Sequence, residues 1–327
     1  MSAQEADGTA ALPVPPDEEN VMIFTNHWHK ALQNYFDAHW AGDYLRDEPL
    51  ARHTWYRIGG PADFLAYPRD AADVVGLLRQ CRALEVETYF IGAGANLLVS
   101  DAGFRGVMLL MGRYFTELTR AGNIITAAAG VLLKDLVLFA EREGLGGLEY
   151  LAGIPGTVGG ALTMNAGIER GEIGDVVREV TLLNDELEPI TLAADQITFG
   201  YRSAPQLQAK PLLGCQLQLR PADAAALRQI RLTQLAERAA KQPLDYPSCG
   251  SVFKRPPHHY VGKMVEASGL KGLRQGDAMI SEKHGGFIIN LGHATANDVR
   301  HLIVKIQEAV DARFGVRLEP EVRFAGF

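Results

Sequence analysis

The spacing of apolar residues along the chain predicts that helices and strands alternate. Residues 71–84 carry apolar side chains three and four positions apart, directly after Asp70, a residue type that caps helix N-termini. They predict the clearest helix of the first region. Short apolar runs next to glycine-containing turns predict buried strands at residues 88–91 and 107–111. The first ordered region therefore alternates helix with strand.

The rest of the chain continues this alternation. Further helices are predicted at residues 21–40, 132–143 and 224–240, and further strands at residues 124–128, 177–183, 187–192 and 212–219. Thr295 and Asp298 resemble a capping box and predict a final helix, which Gly315 ends. Residues 316–324 alternate apolar and charged side chains, which predicts a strand whose solvated, charged face includes Glu321.

Length and composition indicate a globular protein with more than one domain. The 327 residues, of which 47% are hydrophobic and 22% charged, suit two or three domains with ordinary cores. The formal net charge of −7 argues against a general nucleic-acid-binding protein. An anionic ligand would therefore need a locally basic pocket.

Other patterns exclude several classes of site and of location. Three separated cysteines without a Cys-x-x-Cys pair predict neither a disulfide framework nor a thiolate metal site, and they favour a reducing compartment. The nine histidines show no metal-ligand spacing, so no metal site is predicted. Residues 1–20 are predicted to be a disordered tail, and no apolar run has the length of a membrane span. We expect a cytoplasmic protein with no nucleic-acid or membrane partner.

Residues 148–167 form the most glycine-rich stretch of the chain. Its glycines are Gly153, Gly156, Gly159, Gly160 and Gly167. Glycine lets a backbone approach a ligand closely or adopt positive φ, and closely spaced N–H groups suit an anion such as a pyrophosphate. A tight buried turn between apolar elements explains the same composition equally well, so both interpretations stay open.

A second glycine turn, Gly92-Ala93-Gly94, follows a predicted strand. A Rossmann dinucleotide-binding fingerprint would need a third glycine at position 97, which is Leu97 here, and a helix immediately afterwards. The Rossmann fold is therefore disfavoured. A glycine-rich loop that presents backbone amides to phosphate groups stays a reasonable interpretation.

Arg202 and Ser251 are candidates for chemistry. Arg202, directly after Tyr201, could grip a carboxylate or phosphate with two hydrogen bonds, although a surface arginine after a turn is the simpler interpretation. Ser251 lies close to Lys254 and could pass a proton, although most loop serines only bond backbone. Cys249 has no evident histidine or helix N-terminus to lower its pKa, so it is interpreted as a packing residue.

Eight short motifs in a fixed order, spread from about Thr54 to Glu321, resemble the UDP-N-acetylenolpyruvoylglucosamine reductase family. Members of this family are the flavoenzymes of bacterial cell-wall precursor synthesis. Each motif is weak alone, but eight in register are highly specific. They are Tyr56-Arg57-Ile58-Gly59-Gly60-Pro61-Ala62, Gly92-Ala93-Gly94-Ala95-Asn96-Leu97-Leu98, Gly153-Ile154-Pro155-Gly156-Thr157-Val158-Gly159-Gly160, Met164-Asn165-Ala166-Gly167, Phe199-Gly200-Tyr201-Arg202-Ser203, Gly250-Ser251-Val252-Phe253-Lys254, Ile280-Ser281-Glu282-Lys283-His284 and Leu318-Glu319-Pro320-Glu321-Val322-Arg323.

The resemblance implies an α+β protein with an FAD-binding fold of the vanillyl-alcohol-oxidase (PCMH) type plus a C-terminal α+β substrate domain. It implies FAD-binding subdomains at residues 21–110 and 111–220, and a substrate-binding domain at residues 221–327. FAD is expected to be non-covalent, because the turn Gly59-Gly60-Pro61 lacks the histidine that attaches flavin in some relatives. The implied cofactor contacts are Arg57, Gly59, Gly92, Gly94, Ala95, Asn96, Leu97, Ile154, Pro155, Gly156, Thr157, Gly159 and Gly160.

The resemblance also implies the reaction and its residues. NADPH reduces FAD and leaves, and UDP-N-acetylglucosamine enolpyruvate then occupies the same site and receives the hydride. Arg202 and Glu321 match the family residues that stabilise the negative charge developing on the carboxylate side of the substrate. Ser251 matches the proton donor. Tyr201 and Lys254 are expected to border the UDP-sugar.

Two departures from the family pattern fall near these ligands. Many members have Ala-Tyr-Gly where this chain has Ile168-Glu169-Arg170, and Lys254 is usually followed by asparagine rather than Arg255. The stretch between Ser251 and Glu321 is too compact for the substrate-covering loop of the longer subtype, so the shorter subtype is assigned. Two alternatives stay open: another FAD oxidoreductase of this fold acting on a different small acid, or a non-catalytic flavin- or UDP-sugar-binding regulator. The oligomeric state is not predicted.

Overall fold

The structure is a computed structural model that describes residues 18–327, with side chains described from residue 27 onward. Its helices are α1 (Glu18–His39), α2 (Ala71–Ala83), α3 (Leu133–Arg142), α4 (Val158–Thr163), α5 (Ala224–Lys241), α6 (Val261–Ala267) and α7 (Ala296–Phe314). Its strands are β1 (Asp43–Pro49), β2 (Pro61–Tyr67), β3 (Thr88–Ile91), β4 (Leu97–Val99), β5 (Phe104–Leu110), β6 (Leu118–Ala121), β7 (Ile124–Ala128), β8 (Leu145–Gly146), β9 (Gly167–Ile168), β10 (Gly171–Glu172), β11 (Val177–Leu183), β12 (Pro189–Ala193), β13 (Leu212–Gln218), β14 (Arg220–Pro221), β15 (Arg274–Gln275), β16 (Ala278–Ile280), β17 (Ile288–Asn290) and β18 (Arg323–Ala325). None of the described helices is both long enough and apolar enough to cross a membrane.

The chain divides into two units, of which Met1–His39 is the first and Trp40–Phe327 the second. Helix α1 belongs to the first unit and begins at Glu18, slightly before its predicted start and inside the predicted tail. Residues 1–17 of that tail lie outside the described residues. All the sheets and all the predicted site residues belong to the second unit.

The first sheet has the strand order β1-β2-β5-β3, with β2, β5 and β3 parallel and β1 antiparallel at one edge. Helix α2 follows the prediction: the Asp70 side chain accepts the Asp73 N–H, and the apolar face of the helix is buried. Strand β2 is buried along almost its whole length, as expected for a strand covered on both faces. The turn Gly92-Ala93-Gly94, called the first glycine turn, follows β3 at the edge of this sheet.

The second sheet has the order β12-β11-β13-β7-β6 and is entirely antiparallel. Its core also contains the apolar faces of α3 and α4, so the long glycine run, which includes α4, packs against this sheet. The predicted strand at 187–192 forms somewhat later, as β12, because residues around Asn184 make the hairpin turn. The other predicted elements of this region differ from the observed ones by a residue or two at their ends.

The C-terminal region contains the small sheet β15-β16-β17 with α6 and α7. The predicted capping box is confirmed, since Thr295 and Asp298 exchange side-chain-to-backbone hydrogen bonds of 3.1 and 2.9 Å. The core of this region also includes Tyr56 and Leu98 from the first region. The three main sheets fall in order within residues 21–110, 111–220 and 221–327, and those domain bounds stay a prediction because Trp40–Phe327 is one compact unit.

The predicted strand at 316–324 is wrong over most of its length. Only Arg323–Ala325 is a strand, β18, which pairs parallel with β4. Before it, the chain makes single bonds to another loop: the Lys254 N–H donates to the Glu319 carbonyl at 2.9 Å. Pro320 has no N–H to continue a ladder. Leu318 is buried as predicted, but the segment follows an irregular path instead of presenting two regular faces.

Candidate active site

Two glycine turns of the second unit lie against each other. A Cβ atom at position 92 would fall 2.4 Å from the Oγ1 of Thr157, so only glycine fits there. Thr157 is buried and caps α4, where its Oγ1 accepts the Gly160 N–H at 3.3 Å. The turn after β3 and the turn before α4, both expected to contact a cofactor, are therefore adjacent.

The first turn is also packed against the segment that precedes β2. Gly94 has a φ of +62°, and a Cβ there would fall 2.1 Å from the His53 carbonyl oxygen. The Gly94 carbonyl accepts the Trp55 N–H at 3.0 Å. Arg57 and Gly59, two predicted cofactor contacts in this segment, both have positive φ. The structure thus brings three of the predicted cofactor segments together.

Some backbone N–H groups of these turns donate to carbonyls of the protein, and others do not. In the long glycine run, the N–H groups of Ile154, Val158 and Gly159 donate to backbone carbonyls of the same region. By contrast, the amides of residues 94–96 donate to no acceptor within the part of the chain that the structure describes, and Gly94 is itself buried. Because a buried amide is normally paired, the free N–H of Gly94, with those of the two half-buried residues after it, suits an anionic ligand. The structure favours the buried-turn interpretation for most of the longer run.

Asn96 connects this turn to the C-terminal segment. Its side-chain N–H donates to the Glu321 carbonyl at 2.9 Å, and its own carbonyl accepts the Arg323 N–H at 3.0 Å. These bonds continue the pairing of β4 with β18 and fix the backbone of Glu321. The carboxamide of Asn96, predicted as a cofactor contact, therefore also positions a predicted catalytic residue, a link that no local sequence pattern indicates.

Arg202 and Glu321 form the central ion pair of the site. The Arg202 Nε donates to Glu321 Oε1 at 2.8 Å, and the two side chains are only 21% and 16% exposed. Arg202 has a φ of +54°, uncommon for a residue with a side chain, and a terminal nitrogen donates to the Gly167 carbonyl at 3.2 Å. The simpler interpretation of each, a surface arginine and a solvated carboxylate, is thus wrong, because tertiary contacts bury both.

Burial raises the pKa of the Glu321 carboxyl above its usual value. The neighbouring Arg202 charge and hydrogen bond, and the more distant charge of Lys254, lower that pKa by less than burial raises it. Glu321 is therefore a carboxyl group that accepts a proton more readily than an exposed glutamate does while it stays bonded to a guanidinium. Such a pair can hold a carboxylate ligand without two bare negative charges facing each other.

Ser251 lies on the loop that bonds to the Glu321 backbone. The Val252 carbonyl accepts the Glu321 N–H at 2.7 Å, so the three predicted catalytic residues are brought into one region. The Ser251 hydroxyl donates to the Phe253 carbonyl at 3.2 Å, a long bond for a hydroxyl donor. Cys249 is buried, its thiol donates to the Leu97 carbonyl at 3.1 Å, and burial raises its pKa, as suits a packing residue.

His284 is a neighbour of Ser251 to which the sequence analysis assigned no role. A Cβ atom on Gly286 would lie 3.2 Å from His284 Nδ1 and 3.5 Å from Ser251 Oγ, so glycine at this position lets the two side chains approach. The Gly286 N–H donates to His284 Nδ1 at 3.1 Å. Burial lowers the pKa of the His284 imidazole below its usual value. The only available signal was its place in the Ile280–His284 motif.

Arg255 and Glu169, which belong to the two departures from the family pattern, contact each other. Its guanidinium forms an ion pair with Glu169 and lies 3.8 Å from the centre of the Tyr260 ring. Its backbone N–H donates to the Tyr201 hydroxyl at 3.1 Å. Lys254 next to it pairs with Glu319. The two atypical residues thus compensate each other across the loops that are expected to border the substrate.

Within the described part of the chain, no three His, Cys, Asp or Glu side chains are placed to hold a metal ion. Comparisons with known proteins identify the family of two parts of the chain. Residues 62–190 match a family model described as an FAD binding domain, and residues 242–325 match one described as the C-terminal domain of UDP-N-acetylenolpyruvoylglucosamine reductase.

Similar whole proteins carry the same description. The chain is 45% identical to UDP-N-acetylenolpyruvoylglucosamine reductase 2 of Symbiobacterium thermophilum over 87% of this chain and 93% of that protein. It is also 45% identical to the Levilactobacillus brevis reductase, over 86% and 93%. A crystal structure of the reductase from Thermus caldophilus superposes with a TM-score of 0.75 at 33% identity, covering 87% of this chain and 98% of that one. The predicted α+β class with an FAD-binding part and a separate C-terminal part is confirmed.

Replacing Gly92 with alanine tests the contact between the two turns. We expect Gly92→Ala to lower the free energy of unfolding by about 1–3 kcal/mol, because the added methyl group overpacks against Thr157. Urea unfolding measures this effect. Gly112→Ala is the control, since a Cβ there would have no neighbour closer than 3.7 Å. In the double variant with Thr157→Ala, the loss should be smaller than the sum of the two single losses; strict additivity would refute the contact.

The raised pKa of Glu321 predicts a specific pH dependence of stability. A carboxyl whose pKa is higher in the folded state stabilises the fold fully below its unfolded pKa, and that contribution disappears as pH rises through the folded pKa. Wild type should therefore lose stability relative to Glu321→Gln as pH is raised from about 4.5 towards neutrality. Urea unfolding of both proteins across this range gives the difference. A pH-independent difference would contradict the raised pKa.

Proposed function

The chain belongs to the UDP-N-acetylenolpyruvoylglucosamine reductase family, and from this membership we propose that it reduces UDP-N-acetylglucosamine enolpyruvate to UDP-N-acetylmuramate in peptidoglycan precursor synthesis. It is an FAD-dependent oxidoreductase with NADPH as co-substrate. The observation that carries the proposal is the half-buried Arg202–Glu321 pair, which lies next to the Ser251 loop and is bonded to Asn96 of the first glycine turn.

The residues of the Gly92-Ala93-Gly94 turn and of the 153–160 run fit FAD. The space beside Gly92 and Gly94 excludes any side chain, and the unpaired amides of residues 94–96 suit a phosphate group. Gly59 and Gly60 offer no side chain for a covalent link, which supports a non-covalent flavin. When it is bound, FAD supplies the hydride chemistry, and the protein supplies position and electrostatics.

Arg202 and Glu321 are proposed to hold the carboxylate side of the enolpyruvyl group. Addition of hydride to the terminal carbon of the double bond pushes negative charge towards that carboxylate. The Arg202 guanidinium is already fixed by its bonds to Glu321 and to the Gly167 carbonyl, so little reorganisation is needed as the charge grows. Because burial favours the protonated form of Glu321, the carboxylate of the substrate need not face a second full negative charge.

Ser251 is proposed to complete the reduction by giving its hydroxyl proton to the neighbouring carbon. Hydride on one carbon and a proton on the other convert the double bond to a single bond, which balances the reaction. The long bond from Ser251 to the Phe253 carbonyl costs little to exchange for substrate. Tyr201 and Lys254 are proposed to border the UDP-sugar, with Tyr201 held by the Arg255 amide.

We also propose that the enzyme works in the cytoplasm. The described cysteines, Cys81, Cys215 and Cys249, are all free and buried, which is typical of a protein from a reducing compartment. A reductase that draws on NADPH and a UDP-sugar needs access to soluble pools of both compounds.

Anaerobic absorbance measurements of the bound flavin test the function. We expect NADPH to bleach the flavin band and UDP-N-acetylglucosamine enolpyruvate to restore it. Bleaching without restoration would favour an FAD oxidoreductase that acts on a different small acid. No bleaching at all would favour a flavin- or UDP-sugar-binding regulator, and either result would overturn the proposal.

Ser251→Ala should separate the two half-reactions. Reduction of the flavin by NADPH should proceed at the wild-type rate, whereas reoxidation by the enolpyruvyl substrate should slow by at least about 10²-fold, the scale of a lost acid catalyst. Stopped-flow absorbance resolves the two rates. Ser268→Ala removes another buried serine hydroxyl, one without a partner among the described residues, and should leave both rates unchanged. Equal slowing of both half-reactions in Ser251→Ala would rule out the role.

A further inference from the structure

Arg238 on α5 has no compensating partner among the described residues. Its Nε atom is sealed from solvent and makes no hydrogen bond, and no carboxylate forms an ion pair with its guanidinium. Arg231, two turns earlier on the same helix, shows the usual arrangement: it bonds both carboxylate oxygens of Glu141, at 2.5 and 3.2 Å. Of these two arginines on α5, Arg231 is therefore paired with an acid and Arg238 is not.

A half-buried arginine without an acid partner is a candidate anion-binding residue. Buried cations are normally paired, because removing a charge from water without a partner is strongly unfavourable. Burial lowers the pKa of Arg238, and no neighbouring acid of the protein opposes that shift. Because an arginine does not lose its proton in a protein, a half-buried guanidinium that has no acid partner among the described residues is suited to bind an anionic ligand.

The position of Arg238 identifies which ligand this is. Its side chain lies across Gly153, the first residue of the 153–160 run: a Cβ at position 153 would fall 2.9 Å from Arg238 Cδ and 3.0 Å from its Nε. Gly153 has a φ of +76°. Glycine at this position therefore leaves room for the arginine beside a segment whose later residues are proposed to contact the cofactor.

We propose that Arg238 binds a phosphate oxygen of the FAD diphosphate. The proposal rests on the proposed function, because it takes FAD as the resident cofactor. NADPH and the UDP-sugar also carry diphosphates, but both enter and leave during turnover and would leave the cation unpaired for part of each cycle. A resident cofactor supplies the anion permanently. A guanidinium matches phosphate geometry with parallel N–H bonds, which suits this role.

The test compares two flavins that differ by the diphosphate. The affinity of the full-length, flavin-stripped chain for FAD and for riboflavin is measured by flavin fluorescence. We expect Arg238→Met to weaken FAD binding at least about 10-fold, the scale of a lost charge-assisted hydrogen bond, and to leave riboflavin affinity unchanged. Arg238→Lys should restore part of the FAD affinity. Arg228→Met, an exposed position on the same helix, is the control and should bind both flavins like wild type.

Each outcome separates this inference from the proposed function. Unchanged FAD affinity in Arg238→Met overturns the inference, and equal weakening of FAD and riboflavin overturns the diphosphate contact. If Arg238→Met changes only the KM for NADPH, Arg238 contacts NADPH and not FAD, and the inference is also overturned. A wild-type chain that binds no FAD overturns the proposed function instead. If Arg238→Met does not fold, Arg238→Gln and the rise in melting temperature that FAD induces give the same comparison, with a smaller rise expected in the variant than in wild type.

Discussion

The half-buried ion pair between Arg202 and Glu321 is the interaction on which the rest of the site depends. Neither partner could be removed from water alone, because an unpaired charge at that depth is strongly unfavourable. The pair therefore requires that the turn bearing Arg202 and the C-terminal segment bearing Glu321 meet. Asn96 fixes the Glu321 backbone from the first glycine turn, and the Val252 carbonyl fixes it from the Ser251 loop. One electrostatic constraint thus brings the proposed cofactor turn and the proposed acid into the same place.

Close backbone approach is the second organising constraint. Gly92 and Gly94 have no room for a Cβ, and their turn leaves the amides of residues 94–96 without protein acceptors. The longer run, although it has more glycines, uses several of its amides to attach α4 to the second sheet. Its proposed part in cofactor binding therefore rests on close backbone approach and on the neighbouring Arg238 more than on free N–H groups. A high density of glycines does not by itself indicate free backbone amides in this chain.

Glu169 and Arg255, the atypical residues near the proposed site, balance each other's charge. Glu169 and Arg255 are far apart in sequence, and a glutamate without a partner would be unfavourable beside an anionic nucleotide. In the structure they form an ion pair with each other, and Arg255 also lies on the Tyr260 ring. Exposed pairs of this kind add little stability, so the value of this one is in holding two loops in register. The backbone amide of Arg255 meanwhile holds the Tyr201 hydroxyl.

Most of the regular elements and the family can be predicted from the sequence, because both depend on local information. Hydrophobic periodicity placed α2, α5 and α7 closely, and capping residues identified where they begin. The ordered motifs identified the family even where each residue alone favoured an ordinary structural role.

Which residues contact each other depends on the tertiary structure. The burial of Glu321, the link through Asn96, the neighbour His284 and the unpaired Arg238 all arise from contacts between distant segments. The irregular path of residues 316–322 has the same origin: that segment bonds to the Ser251 loop, and alternation of side chains cannot reveal a partner that lies elsewhere in the chain.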